Sequence, residues 1–180
     1  MNRSLVLVVL GLVAVSASET EDGSLNQLES LVEQAVEQTE LYHKQISDVS
    51  KSLLSNIELV SGGVNAKSAA QVRTIIQETD KNSGLKSYNT LNKAVQLLEN
   101  LGEDELKPIQ NPLKEAKSDL EKTSKSWNSG LNQVSELAIK YEDNADRIIE
   151  KINGLSDLVK KTVFVQKTKK AAEALTEFTD

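Results

Sequence analysis

The sequence predicts an all-α protein, an elongated antiparallel bundle of about four to five long amphipathic helices with coiled-coil-like heptad packing. Three observations carry this. Apolar residues recur at steps of three and four over most of the chain. The chain has only two prolines, close together, and 3% aromatics, so it lacks the alternating Val/Tyr/Phe-rich runs that strands require. It contains no cysteine, so stability must come from apolar burial, which favours long helices packed side by side.

The first helix is predicted over about 24–60. Its stripe runs Leu25, Leu28, Val32, Ala35, Thr39, Tyr42, Ile46, Val49, Leu53 and Val60, with Asn56 as a weak point that Ile57 bridges. Ser24 and Gln27 have capping-box spacing, and Gly62-Gly63 supplies the stop. Leu31, Val36, Leu54 and Ile57 widen the stripe beyond a two-stranded seam, which favours a bundle over a dimeric rod. Val64, Ala69, Val72, Ile75 and Ile76 place a second helix over about 64–81. After Asp80-Lys81-Asn82-Ser83-Gly84, a third covers about 85–101 through Leu85, Tyr88, Leu91, Val95, Leu98 and Leu101, ending at Gly102. The interruption reads equally as a loop or as a kink in one return helix.

Residues 102–111 read as the main connector, with a short turn at Glu103-Asp104-Glu105 that Pro108 stops. Asn111-Pro112 then resembles an N-cap followed by proline at the first helical position. From there Leu113 to Ile152 hold helical spacing, which predicts a single helix over about 112–153 with Asn153-Gly154 as its C-cap. A last helix is expected over about 156–178, its stripe shifting register around Val163 to Val165.

The chain begins with a different logic. Arg3 gives a positive start, Leu5 to Val15 is apolar apart from Gly11, and Val15-Ser16-Ala17 offers small residues to a signal peptidase. Residues 1–17 are therefore expected to be a secretory signal cleaved between Ala17 and Ser18, followed by a polar segment, 18–23, and one helical domain, 24–180. The apolar run is too short for a membrane span, which needs roughly 20 residues. The mature chain is expected to be secreted and extracellular. Without Arg3 it has 20 basic against 27 acidic side chains, a balance that disfavours nucleic acid as a partner.

An inventory of reactive groups argues against an enzyme. His43 is the one histidine and there is no cysteine, so no His/Cys metal set exists, and no calcium loop, phosphate loop or nucleophile elbow is present. Neither a cofactor nor a catalytic residue is predicted. His43 reads as a solvated residue on the helix surface, with a pH-sensitive contact as the sharper alternative. Tyr42, Trp127 and Tyr141 continue the stripes and read as core.

One feature departs from the acidic background. Lys160, Lys161, Lys167, Lys169 and Lys170 lie between Asp157 and Glu173 with no acid among them. They are the candidate contact for an anionic partner, lipid headgroups or an acidic protein face. The plainer reading has them pair with acids of neighbouring helices, including Glu29, Glu33 and Glu37.

The function predicted is that of a secreted non-enzymatic protein acting through binding, structural or protein–protein interaction, with a protein partner or self-association in view. The alternative is an extracellular carrier of lipid or another apolar ligand. In general design the chain is similar to exchangeable apolipoproteins: secreted, cysteine-free, built of long amphipathic helices and poor in aromatics. No motif extends that likeness beyond design. A pore-forming role is disfavoured, because the mature chain has no strongly apolar segment to insert.

Overall fold

The computed structural model describes residues 21–59, 83–140 and 145–180, together with Thr74 and Glu78, both helical and exposed. The expected signal, its Ala17–Ser18 cleavage point, the Gly62-Gly63 stop, Tyr141 and nearly all of the 64–81 helix lie outside these residues. Among the described residues every regular element is helical. Helix α1 spans Glu21–Leu59, α2 Leu85–Leu101, α3 Lys107–Lys140, α4 Ala145–Lys161 and α5 Phe164–Thr179, with a 3-10 turn at Asp104–Leu106 before α3.

In α1 the buried series is Leu28, Val32, Ala35, Thr39, Tyr42 and Ile46, which alternates steps of four and three. Helix and helical character begin earlier than the capping-box reading allows. Ser24 lies inside α1, and the expected polar segment 18–23 is already helical from Glu21. Helix α2 ends at Gly102, whose φ of 66° lets its N–H reach the Leu98 carbonyl at 3.2 Å.

The connector is shorter than the prolines suggest. Helix α3 begins at Lys107, so Pro108 sits in its first turn, where a missing N–H costs no hydrogen bond. Asn111 is not an N-cap, and Pro112 lies inside the helix at the cost of one backbone bond. Burial explains the extension: Leu106 and Ile109 are both buried and continue backwards the three-and-four spacing of buried residues at Leu113, Ala116 and Leu120. Asp104 bonds Lys107 at 2.6 Å across the preceding turn.

The expected single helix 112–153 is two helices running in opposite directions. Gly130 of α3 lies against Leu155 of α4, and Asp119 of α3 meets Val163 and Phe164, so the chain has reversed between Lys140 and Ala145. The spacing concealed this. Leu137 and Ile148 are eleven residues apart, close to three helical turns, so the stripe keeps its phase through the reversal. Asn153-Gly154 is then no cap but the exposed middle of α4, which continues because Ile152, Leu155 and Val159 are all buried. The break falls instead at Thr162-Val163, where the stripe shifts register.

Helix α1 packs on α2, α4 and α5, and α3 packs on the same three. Helices α4 and α5 succeed each other along one column, antiparallel to α3. Glu99 of α2 bonds Lys114 of α3 at 2.9 Å and Asn92 bonds Lys117 at 2.7 Å, which makes α2 antiparallel to α3 as well. The four columns are thus α1, α2, α3 and α4–α5, with α1 facing α3 across the core.

Two glycines in the α3–α4 pair should respond oppositely to alanine. At Gly154 an added Cβ meets nothing within 4 Å, so Gly154→Ala should stabilise by about 0.5–1 kcal/mol through helix propensity. At Gly130 it would overlap the buried Leu155 side chain, and overpacking of about 1–3 kcal/mol should cancel or exceed the same gain. Urea midpoints of the two variants check the contrast.

Candidate functional site

The densest set of cross-helix polar contacts surrounds the α4–α5 joint. At the end of α4 the Val159 carbonyl accepts from the Thr162 N–H at 3.3 Å and the Thr162 hydroxyl at 2.8 Å, closing the helix. His43 of α1 adds a third donor, its Nε2 reaching the same carbonyl at 3.3 Å. His43 is therefore not the solvated surface histidine that the sequence suggests. It is half-buried, edge-on to the Phe164 ring at 6.0 Å, and fastens α1 to the last turn of α4.

The start of α5 has the opposite need. Its first N–H groups have no partner within the helix, and Val163, at the N-cap position, has no side chain to accept them. Asp119 of α3 supplies the cap from outside. One carboxylate oxygen accepts the N–H of Val163 and of Phe164, each at 2.8 Å. Phe164 is fully buried against Tyr42, ring centroids 5.9 Å apart. Sequence reasoning missed Asp119 because its partners are 44 and 45 residues away, and nothing local marks it.

Of the five lysines, Lys167 bonds Glu115 of α3 and Lys169 bonds Glu40 of α1. Lys160 approaches Asp157 one turn back at 3.5 Å. Lys161 and Lys170 are exposed, and the Lys170 charge also acts on Glu115. The acids engaged are Glu40 and Glu115, not Glu29, Glu33 and Glu37 as anticipated. Hydrogen bonding and charge from Lys167 hold the Glu115 carboxyl below the ordinary value of 4.5. Glu29 and Glu33 move the other way. Burial raises both, and in Glu33 the charges of Glu37 and Glu29 add to it.

Elsewhere, Tyr42 and Trp127 are core residues, as are the seam threonines Thr39 and Thr123, while the side chain of Asn56 lies outside the described residues. Trp127 Nε1 and Ser135 Oγ are buried without a hydrogen-bond partner among the described residues. Two open grooves flank α3. One, of about 360 Å³, lies toward α2 and is lined largely by charged and amide side chains such as Gln96, Glu99 and Lys114. The other, of about 590 Å³, lies toward α4, with Leu155 and Leu158 in its floor and Lys125 and Lys151 at its edge. Among the described residues no group of three or more His, Cys, Asp or Glu side chains is placed to hold a metal ion.

No protein-family model, curated protein or solved structure matches this chain.

Replacing Asp119 by Ala leaves the N–H groups of Val163 and Phe164 without their acceptor, and should cost about 1–2 kcal/mol, the range for a lost helix cap. Hydrogen exchange should rise first in α5, ahead of α2 and α3. Glu33 gives a pH test of the opposite kind. Its raised folded value means that the folded state binds more protons just above pH 4.5, so stability falls as pH rises through that window. Glu33→Gln should therefore raise the thermal midpoint at neutral pH and lose that advantage below pH 4.5, as calorimetry at both pH values would show.

Proposed function

We propose that this chain is a secreted, non-enzymatic protein that acts through binding, as a structural or interaction partner of other molecules. The observation that carries the reading is where the charged groups are spent. Glu40, Glu115 and Asp119 each reach across to α5 or its joint, Glu99 reaches Lys114 across the α2–α3 seam, and Glu121 holds Lys125 one turn away on α3. They act as fasteners between and along helices; Glu99 and Glu121 share the open groove toward α2, but each is spent there on an ion pair with a lysine, whereas acid–base or nucleophilic chemistry needs such groups directed at one reacting position.

The heptad pattern of burial supports an elongated bundle with coiled-coil-like packing. On α1 the series Leu28 to Ile46 and on the α3 column the series Leu106, Ile109, Leu113, Ala116, Leu120, Thr123 and Trp127 both alternate threes and fours. Long columns packed side by side make an extended body with a large charged surface, a form suited to presenting contacts. Secretion rests on the signal-like residues 1–17. Among the described residues no helix is long and apolar enough to cross a membrane.

Sedimentation of the protein purified from its native fluid, over a concentration series, tests the reading together with mass spectrometry of whatever co-purifies. Self-association or a stoichiometric partner is the expected result. A strict monomer that carries nothing at any concentration would overturn it, and lipid carried in soluble form at fixed stoichiometry, in place of a partner, would move the assignment to a carrier.

A further inference from the structure

We propose that α5, joined to α4 through the acid-free, lysine-rich stretch 160–170, is a detachable helix that exchanges the carboxylates of α1 and α3 for an anionic lipid surface. The proposal rests on the binding reading above and names one partner for it. Three features make α5 separable. The helix is already interrupted at Thr162-Val163, so α5 can swing away without unwinding α4. Its fully buried residues are Phe164, Thr168, Ala171 and Leu175, of which two are large and apolar, with Val165, Ala172 and Ala174 partly buried beside them. Its ion pairs are partly open to water, the Lys169 and Glu40 side chains being 49% and 48% exposed, Glu115 54% and Lys167 30%, and exposed pairs hold weakly.

The same groups define what could replace the lost contacts. Docked, α5 satisfies the positive charge of Lys167 and Lys169 with Glu115 and Glu40, and its N-terminal N–H groups with Asp119. A surface of lipid phosphates offers both things at once, negative charge for the lysines and oxygen acceptors for the helix start. It also offers an apolar bed for Phe164 and Leu175, and for Phe178, which is already 38% exposed in the docked state. Lys160, Lys161 and Lys170 stand free of cross-helix ion pairs in the structure and supply the first attraction. Because Lys167 and Lys169 are held by acids of neighbouring helices, a docked α5 presents less than its full positive charge. The lipid therefore gains most by taking the helix from the bundle, a shift that follows from differential affinity for the two states.

Two double variants separate this exchange from a simple change in stability. Glu40→Gln with Glu115→Gln and Lys167→Gln with Lys169→Gln cut the same two ion pairs, one from each side. Binding of the secreted chain is measured by co-sedimentation with vesicles of equal parts phosphatidylglycerol and phosphatidylcholine, and with phosphatidylcholine alone. The carboxylate variant should bind the anionic vesicles several-fold more tightly than the parent. The lysine variant, with two charges fewer at the surface, should bind roughly thirty-fold more weakly than the carboxylate variant. Phosphatidylcholine alone should retain neither. Movement of both variants in one direction, equal binding to neutral vesicles, or no binding by the parent and the carboxylate variant would each overturn the proposal. The sedimentation experiment above is unaffected by that failure, so loss of the lipid partner and loss of the binding reading are told apart.

Discussion

A chain that interrupts a helix in the middle of a packed column must find partners for the backbone groups it frees on both sides of the gap. At Thr162-Val163 this demand governs how the fourth column is built. The α4 end is closed largely from within, by Thr162, with His43 as an added donor. The α5 start has no such internal means, since Val163 cannot cap, and depends on the Asp119 carboxylate from α3. A buried N–H left without a partner costs about 1–3 kcal/mol, so the placement of Asp119 decides whether the break is tolerable. It also fixes register. With Asp119 on the joint, Phe164 falls against Tyr42 and Lys167 falls against Glu115 one helical turn earlier on α3. The contacts between α5 and its neighbours follow from that single anchoring.

Electrostatics reinforce the arrangement unevenly. Glu115 is held below its ordinary value by Lys167, and Glu121 by Lys125, so each contributes above pH 4.5 and loses the contribution as pH falls through its lowered value. Both are at the surface, where water and salt screen the effect. Glu29, Glu33 and Glu37 form a stripe at i, i+4 and i+8 on α1, and their mutual repulsion works against the folded state. The acids of this acidic protein are thus spent in two ways, some fastening the lysines of α5 and some repelling one another.

The limits of the sequence can be traced to particular residues. The helical class, the α1 stripe and the Gly102 stop are legible because heptad burial and a left-handed glycine are local properties. The reversal between α3 and α4 is not, since eleven residues from Leu137 to Ile148 preserve the helical phase whether the chain runs straight or turns back. Pro108 and Pro112 mislead for a related reason. Local rules read them as a stop and a restart, while the burial of Leu106 and Ile109 draws the helix through both. Around the joint, the lysines are visible in the sequence, but their partners Glu40 and Glu115 are chosen by tertiary register. Asp119 is invisible for the same reason.

Hydroxyl side chains share the core with the large apolar residues and meet their donor needs within their own helices. Ser50, Ser87 and Thr168 turn their hydroxyls back to carbonyls four residues earlier, and Thr39 to one three residues earlier, so each occupies a buried seam position without an unmet donor. Thr90 goes further and bonds Gln38 of α1 at 2.7 Å, tying α2 to α1 through a polar contact. Small seam residues such as these let helices approach closely but bury little apolar area, and at about 25 cal/mol per Å² they contribute less than leucine would. In α5 this matters most, because Thr168 and Ala171 occupy the centre of its buried face. The helix is held by its polar anchors as much as by apolar burial, and polar anchors, unlike a hydrophobic seam, can be matched by a competing charged surface.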